Sequence, residues 1–113
     1  MAHWVPSEQV FIVIYYFIKY NYNKSMRFVF DPDKDAANRK KHGVSLEEAS
    51  GIDWESALVW SDTRRAYGEP RQCALGTIGL RVYYIAFVDR ADQRRIISLR
   101  KANSREVDFY VKV

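Results

Sequence analysis

Cysteine is almost absent. Cys73 stands alone among 113 residues, which excludes an intrachain disulfide and fits a reducing cytosol. There are only two histidines, His3 and His42, and no His/Cys cluster has metal-ligand spacing, so no metal centre or other cofactor is expected. No glycine-rich phosphate loop occurs. Cys73 has no identifiable activating base near it in sequence and reads as a small apolar strand residue. Long hydrophobic runs are missing as well. Residues 10–18 (VFIVIYYFI) are uninterrupted apolar, but nine residues fall well short of the ~20 that a membrane-spanning helix needs. No Lys or Arg precedes this run and no small-residue cleavage site follows it, so it makes a poor secretion signal. Internal repeats and low-complexity tracts are absent too.

What is present suffices for one domain. A 48% hydrophobic chain with 15% aromatics can build a single core and is not disordered overall. The net charge of +4 leans towards a polyanionic partner. Its distribution says more. Residues 62–101 carry nine cations (Arg64, Arg65, Arg71, Arg81, Arg90, Arg94, Arg95, Arg100 and Lys101) against four anions, and eight of the nine are arginine. The planar guanidinium grips phosphate or carboxylate in bidentate fashion. Basic strands that hold nucleic acid are one reading; solvated charges that keep edge strands from aggregating are the other.

Residues 20–25 (YNYNKS) form a polar, linker-like break before Met26. The expectation is an N-terminal extension at 1–25, non-native or an add-on strand, followed by a domain at 26–113 whose natural start is Met26. Residues 28–30 (FVF) are a short apolar strand. Asp31 then caps a helix with Pro32 in its first turn, and Gly43 after His42 ends it. Ser45, with Glu48 three residues on, opens a second short helix through a capping box. Four strands follow at 57–61, 71–78, 80–88 and 95–101, separated by turn-prone segments. Asn103 and Glu106 cap a last helix. The order predicts an α+β domain: an antiparallel four- to five-stranded sheet with helices packed on one face.

Strand alternation places Ile97 and Leu99 under the helices, with Ile96, Ser98 and Arg100 on the other side. Arg81, Tyr83, Ile85 and Phe87 share one side of their strand and Tyr84 lies opposite. An uncovered sheet face bearing Arg, Ser and Tyr would suit single-stranded RNA, where aromatics stack on bases and arginines hold phosphates.

Several of these residues carry a family resemblance. Residues 30–34 (FDPDK), Asn38 and residues 41–49 (KHGVSLEEA) resemble the opening signature of the BrnT toxin family. Gly68, Glu69, Arg71 and Gly76 resemble its middle strand; residues 95–98 (RIIS) with Arg100, Ala102 and Glu106 resemble its closing strand and helix. Phe30 stands where the family usually has Trp, Leu99 where Ala is common, and Pro70 between Glu69 and Arg71 is unusual. The resemblance implies a RelE-like fold and a type II toxin that cleaves RNA and inhibits translation in the cytoplasm. It also implies a BrnA-like antitoxin with a ribbon-helix-helix domain, through which alone the complex would touch DNA.

With no metal ligands expected, RNA cleavage would use the substrate's own 2′-hydroxyl as nucleophile. Arg100 is then the first candidate for phosphate stabilisation, and Ser98 would orient it. His42 is the side chain best tuned to carry a proton near neutral pH. Glu69 is a second candidate base with Arg71 beside it as phosphate holder. Arg81, Tyr83, Lys34 and Lys41 would extend the RNA surface. The runner-up is a toxin-fold protein without nuclease activity, acting as a protein-binding poison or as co-repressor with its antitoxin.

Overall fold

The computed structural model describes residues 26–113. The expectations for residues 1–25, including the strand at 10–18, lie outside the described residues. Strand β1 (Arg27–Val29) leads into α1 (Pro32–His42), a 3-10 helix (Leu46–Gly51), β2 (Leu58–Ser61), β3 (Gln72–Ile78), β4 (Arg81–Arg90), β5 (Gln93–Lys101) and α2 (Ser104–Lys112). The sheet order is β1-β5-β4-β3-β2, with β1 parallel to β5 and every other pair antiparallel. The α+β class and the five-stranded, mostly antiparallel sheet stand as the sequence leads one to expect. Among the described residues no helix is long and apolar enough to cross a membrane.

Local signals account for the boundaries of α1. The Asp31 carboxylate accepts from the Asp33 N–H, and Gly43 ends the helix at φ 74°, a left-handed conformation that glycine adopts at little cost. Ser45 also caps, but its hydroxyl accepts from the Glu47 N–H and not from Glu48, so the segment tightens into 3-10 geometry and no capping box forms. The expected box at the last helix is present: the Asn103 side chain accepts from the Glu106 N–H, and the Glu106 carboxylate accepts from the Asn103 N–H.

Two cores form, one on each face of the sheet. Under α1 and the 3-10 helix lie Leu46, Ala49, Ile52, Trp54, Ala74, Ile85, Phe87, Ile96 and Leu99. The opposite face carries Cys73, Leu75, Val82, Tyr84 and Ala86, and against these pack Trp60, Ile97 and, from α2, Val107, Phe109 and Tyr110. The last helix therefore does not share a face with the first two. The physical reason is the apolar content of β3 and β4, which alternates large residues on both sides and so leaves a second face to be covered.

A bulge corrects the face expected for β5. Ile96 pairs with Phe87 and Ser98 with Ala86, so Ile97 is an extra residue on its strand. Ile96 and Leu99 accordingly face the α1 core, whereas Ile97 joins the α2 side with Ser98 and Arg100. Alternation alone misplaces Ile96 and Ile97 because it has no means of counting the inserted residue.

Helix α1 docks mainly through polar groups, since Asp35 and Asn38 are its only buried residues. The Asn38 amide donates to the carbonyls of Val44 and Leu99, both at 2.8 Å, and accepts from the Leu99 N–H at 3.2 Å, standing in for a neighbouring strand where β1 has ended. The Asp35 carboxylate accepts from the Leu46 N–H at 2.7 Å and the Ser45 hydroxyl at 3.0 Å. These bonds fix the C-terminal end of α1 beside the free edge of β5. On the same side, a Cβ at Gly76 would lie 2.7 Å from Ile52 Cγ2, so glycine is what lets residues 52–57 close on the sheet.

Candidate functional site

The Asn38 bridge creates an open cleft between α1 and β5 of about 240 Å³, lined by Lys34, Ala37, Asn38, Lys41, His42, Ile97 and Ser98. Four of the residues singled out from sequence thus meet in one place: Lys34, Lys41, His42 and Ser98. Lys34 and Lys41 are exposed, and His42 is half-buried. Burial pushes the His42 imidazole below its ordinary value of 6.5, and the charges of Lys41 and Arg100 push it further in the same direction. His42 is consequently neutral at pH 7 and fit to accept a proton. It also follows Arg39, Lys40 and Lys41 in the last turn of α1, so capping the helix dipole does not depend on it alone.

A rate profile follows from this environment. If neutral His42 is the base, cleavage falls as pH drops, with an acid limb whose midpoint lies below 6.5. Lys41→Met removes one of the depressing charges, so the limb should move upwards towards 6.5; His42→Ala should abolish it. A limb that stays in place in His42→Ala contradicts the assignment. The same shift affects stability: the unfolded chain takes up the proton first as pH falls through 6.5, so this group makes folding less favourable below that value.

Two residues beyond Ser98, Arg100 lies on the α2 face. Its guanidinium stacks 4.3 Å from the centroid of the Tyr84 ring and grips the Glu106 carboxylate with both nitrogens at 2.9 Å. That grip raises the Arg100 pKa, overcoming burial, so the group is a permanent cation. Burial would raise Glu106, but the hydrogen bonds from Arg100 and the Asn103 N–H outweigh it and hold the carboxyl below its usual range.

Other sequence candidates are dispersed. Glu69 does not pair with Arg71; its two oxygens accept from Arg90 at 3.1 Å and Arg95 at 2.7 Å, near the opposite end of β5. Arg71 instead lies over the Tyr67 ring at 3.9 Å, with its buried Nε unpartnered. Tyr83 packs against the α1-side core, and Arg81 is exposed at the start of β4 on that same side. Neither shares a face with Arg100.

One cluster escaped the sequence reading. Asp62 is buried, and its carboxylate accepts from Arg64 Nε and an Arg64 terminal nitrogen, both at 2.9 Å, and from the Tyr67 hydroxyl at 3.0 Å. The bond from Arg64 is the chief reason its carboxyl sits far below the usual carboxylate range. Arg64 also donates to the Tyr84 hydroxyl at 3.3 Å, and that hydroxyl lies 2.8 Å from Cys73 Sγ. Burial raises both Tyr84 and Cys73, so neither ionises near neutrality, and Cys73 is no nucleophile. The one available signal was the Asp62–Arg64 spacing just before a turn-rich stretch, which is too common to point anywhere.

Fold and site together define a small α+β protein with two lysines and a neutral histidine gathered beside the free edge of one strand, a basic cleft suited to a phosphodiester. The model of the ribonuclease toxins, BrnT, of type II toxin–antitoxin systems matches residues 30–106, and the chain belongs to that family. It is a ribonuclease toxin, and as the toxin of a type II system it has a protein antitoxin and an RNA substrate. No curated protein sequence matches the chain.

Proposed function

We propose that this toxin cleaves single-stranded RNA without a bound metal, through the substrate's own 2′-hydroxyl. His42 takes the 2′-hydroxyl proton, the 2′-oxygen attacks phosphorus, and the bond from phosphorus to the 5′-oxygen breaks as that oxygen takes up a proton. The products are a 2′,3′-cyclic phosphate and a 5′-hydroxyl. Arg100 neutralises the charge that builds on the phosphorane oxygens, a contribution of the kind worth ~10²- to 10³-fold in rate. Lys34 and Lys41 hold neighbouring phosphates, and Ser98 borders the path between His42 and Arg100. Cutting messenger RNA would inhibit translation.

The observation that carries this reading is the meeting of His42, Lys34, Lys41 and Ser98 in one cleft whose β5 wall leads on to Arg100. The lowered His42 pKa, with Arg100 among its causes, supports it. Glu69 and Arg71 have the weaker claim, because Glu69 is held by two other arginines. The antitoxin in this reading is a BrnA-like protein with a ribbon-helix-helix domain, and the complex meets DNA only through that domain.

An RNA bearing a single 2′-O-methyl group at its cleavage site tests the chemistry. That bond should survive while unmodified sites are cut, and each new 3′-end formed at a cut should be a cyclic phosphate. Cleavage at the methylated position, or products carrying 5′-phosphates, would overturn the mechanism.

A further inference from the structure

Tyr84 draws two arginines together from different elements. Arg100 stacks on its ring from β5, and Arg64, from the segment after β2, donates to its hydroxyl. The two cations repel each other, and the Arg64 charge is among the causes that work against protonation of Arg100. Asp62 holds Arg64 by two hydrogen bonds, which fixes its guanidinium while the side chain stays largely exposed, at 69%. An anion placed between two such charges turns their repulsion into attraction.

Asp62 already faces Arg64, and the Arg100 half holds an anion of its own. The Glu106 carboxylate presents two oxygens to the two terminal nitrogens of Arg100, the same fork that the non-bridging oxygens of a phosphodiester would present. Glu106 belongs to α2, which has no fully buried residue and rests on its sheet face through the partly buried Val107, Phe109 and Tyr110. The pair is partly exposed, 29% and 21%, so a competing anion can reach it, and a phosphodiester can offer the same two-oxygen fork.

We propose that Arg64 and Arg100 form a two-guanidinium clamp for one RNA phosphodiester, and that Glu106 fills its Arg100 half in the free toxin and is displaced when RNA binds. The clamp rests on the ribonuclease reading with Arg100 as phosphate ligand, and adds Arg64 as a substrate-contacting residue and Glu106 as a competitor. RNA then reaches Arg100 only as the start of α2 gives way, so the helix sets how readily the toxin engages its substrate.

Binding of a short, fluorescently labelled, fully 2′-O-methylated RNA to the full chain tests this without cleavage. Glu106→Gln keeps an oxygen to accept from the Asn103 N–H but loses the charge that competes for Arg100; it should tighten binding about tenfold. Arg64→Met should weaken it about tenfold, and should reduce the slope of log affinity against log salt by about 0.7, the value of one phosphate contact on a single strand. Unchanged or weaker binding by Glu106→Gln with an unaltered melting temperature would overturn the competitor role. An unchanged affinity and salt slope in Arg64→Met would overturn the clamp on its own, whether or not the first variant folds. Loss of binding in Arg100→Ala alongside either of those results would leave Arg100 standing as a phosphate ligand; unaffected binding in Arg100→Ala would overturn the clamp alone, because the ribonuclease reading is tested by the cleavage rate.

Discussion

Arg100→Ala is expected to lower the rate of RNA cleavage by about 10²- to 10³-fold while leaving the chain folded. The reason is where the charge forms. The phosphorane carries more negative charge than the phosphodiester it comes from, so a fixed guanidinium stabilises the transition state more than the substrate and its loss appears in kcat more than in KM. The fold should tolerate the change, because Arg100 caps no element and its side chain remains 29% exposed. Losing the bidentate Glu106 pair should cost on the order of 1 kcal/mol, the upper end for a partly exposed pair and too little to unfold the chain. Arg100→Lys restores the charge without the planar fork and should recover only part of the rate. Initial rates on single-stranded RNA, with circular dichroism to confirm folding, measure all three proteins. A loss below about threefold in Arg100→Ala would show that another cation carries the phosphate.

The largest effect on stability belongs to an arginine that has no part in RNA binding. Arg94 is fully buried, lies between the rings of Trp54 and Phe87 at 4.4 and 4.2 Å, and forms a bidentate ion pair with Asp89 at 2.7 and 2.9 Å. Its third nitrogen has no hydrogen-bond partner, so the group already bears an unmet desolvation cost. Arg94→Met takes the bidentate counter-charge away from a carboxylate whose side chain is only 10% exposed, and should lower the unfolding free energy by about 3–5 kcal/mol. Replacing both partners, as Arg94→Met with Asp89→Leu, should recover most of that loss, since an apolar pair of similar volume is often no worse than a buried ion pair. Urea unfolding of the two variants decides the matter. If the double variant is as unstable as the single one, the arginine acts through its packing between the two rings and not through its charge.

Arg94 also illustrates how far the sequence could be read. In the linear chain it is one of eight arginines in a basic stretch, indistinguishable from Arg100. The structure ties Arg64 to Asp62, Arg90 and Arg95 to Glu69, Arg94 to Asp89 and Arg100 to Glu106. Net charge over a segment therefore overstated the surface available to RNA, because pairing partners come from other strands and register is invisible in one sequence. Helix boundaries were legible, because Asp31, Pro32, Gly43 and Asn103 act through bonds only a few residues long. So were the four hairpin-connected strands, from their apolar runs and turns.

What depended on long-range geometry was not legible. The bulge at Ile97 reassigned two side chains, and α2 covered a face expected to be open. Even so, Lys34, Lys41, His42 and Ser98 did meet, although 56 or more residues separate Ser98 from the other three in sequence. The device that brings them together, Asn38 bonded to both backbone groups of Leu99, is a single polar residue in a helix of low hydrophobicity. Nothing in its local sequence distinguishes it from a solvated asparagine.

The most direct test of the central claim is the cleavage of single-stranded RNA by the purified full chain in excess EDTA. Cleavage should proceed at the same rate with and without the chelator, and should be lost in both His42→Ala and Arg100→Ala. Cleavage that stops in EDTA and returns with a divalent cation would contradict it, as would full activity in either variant.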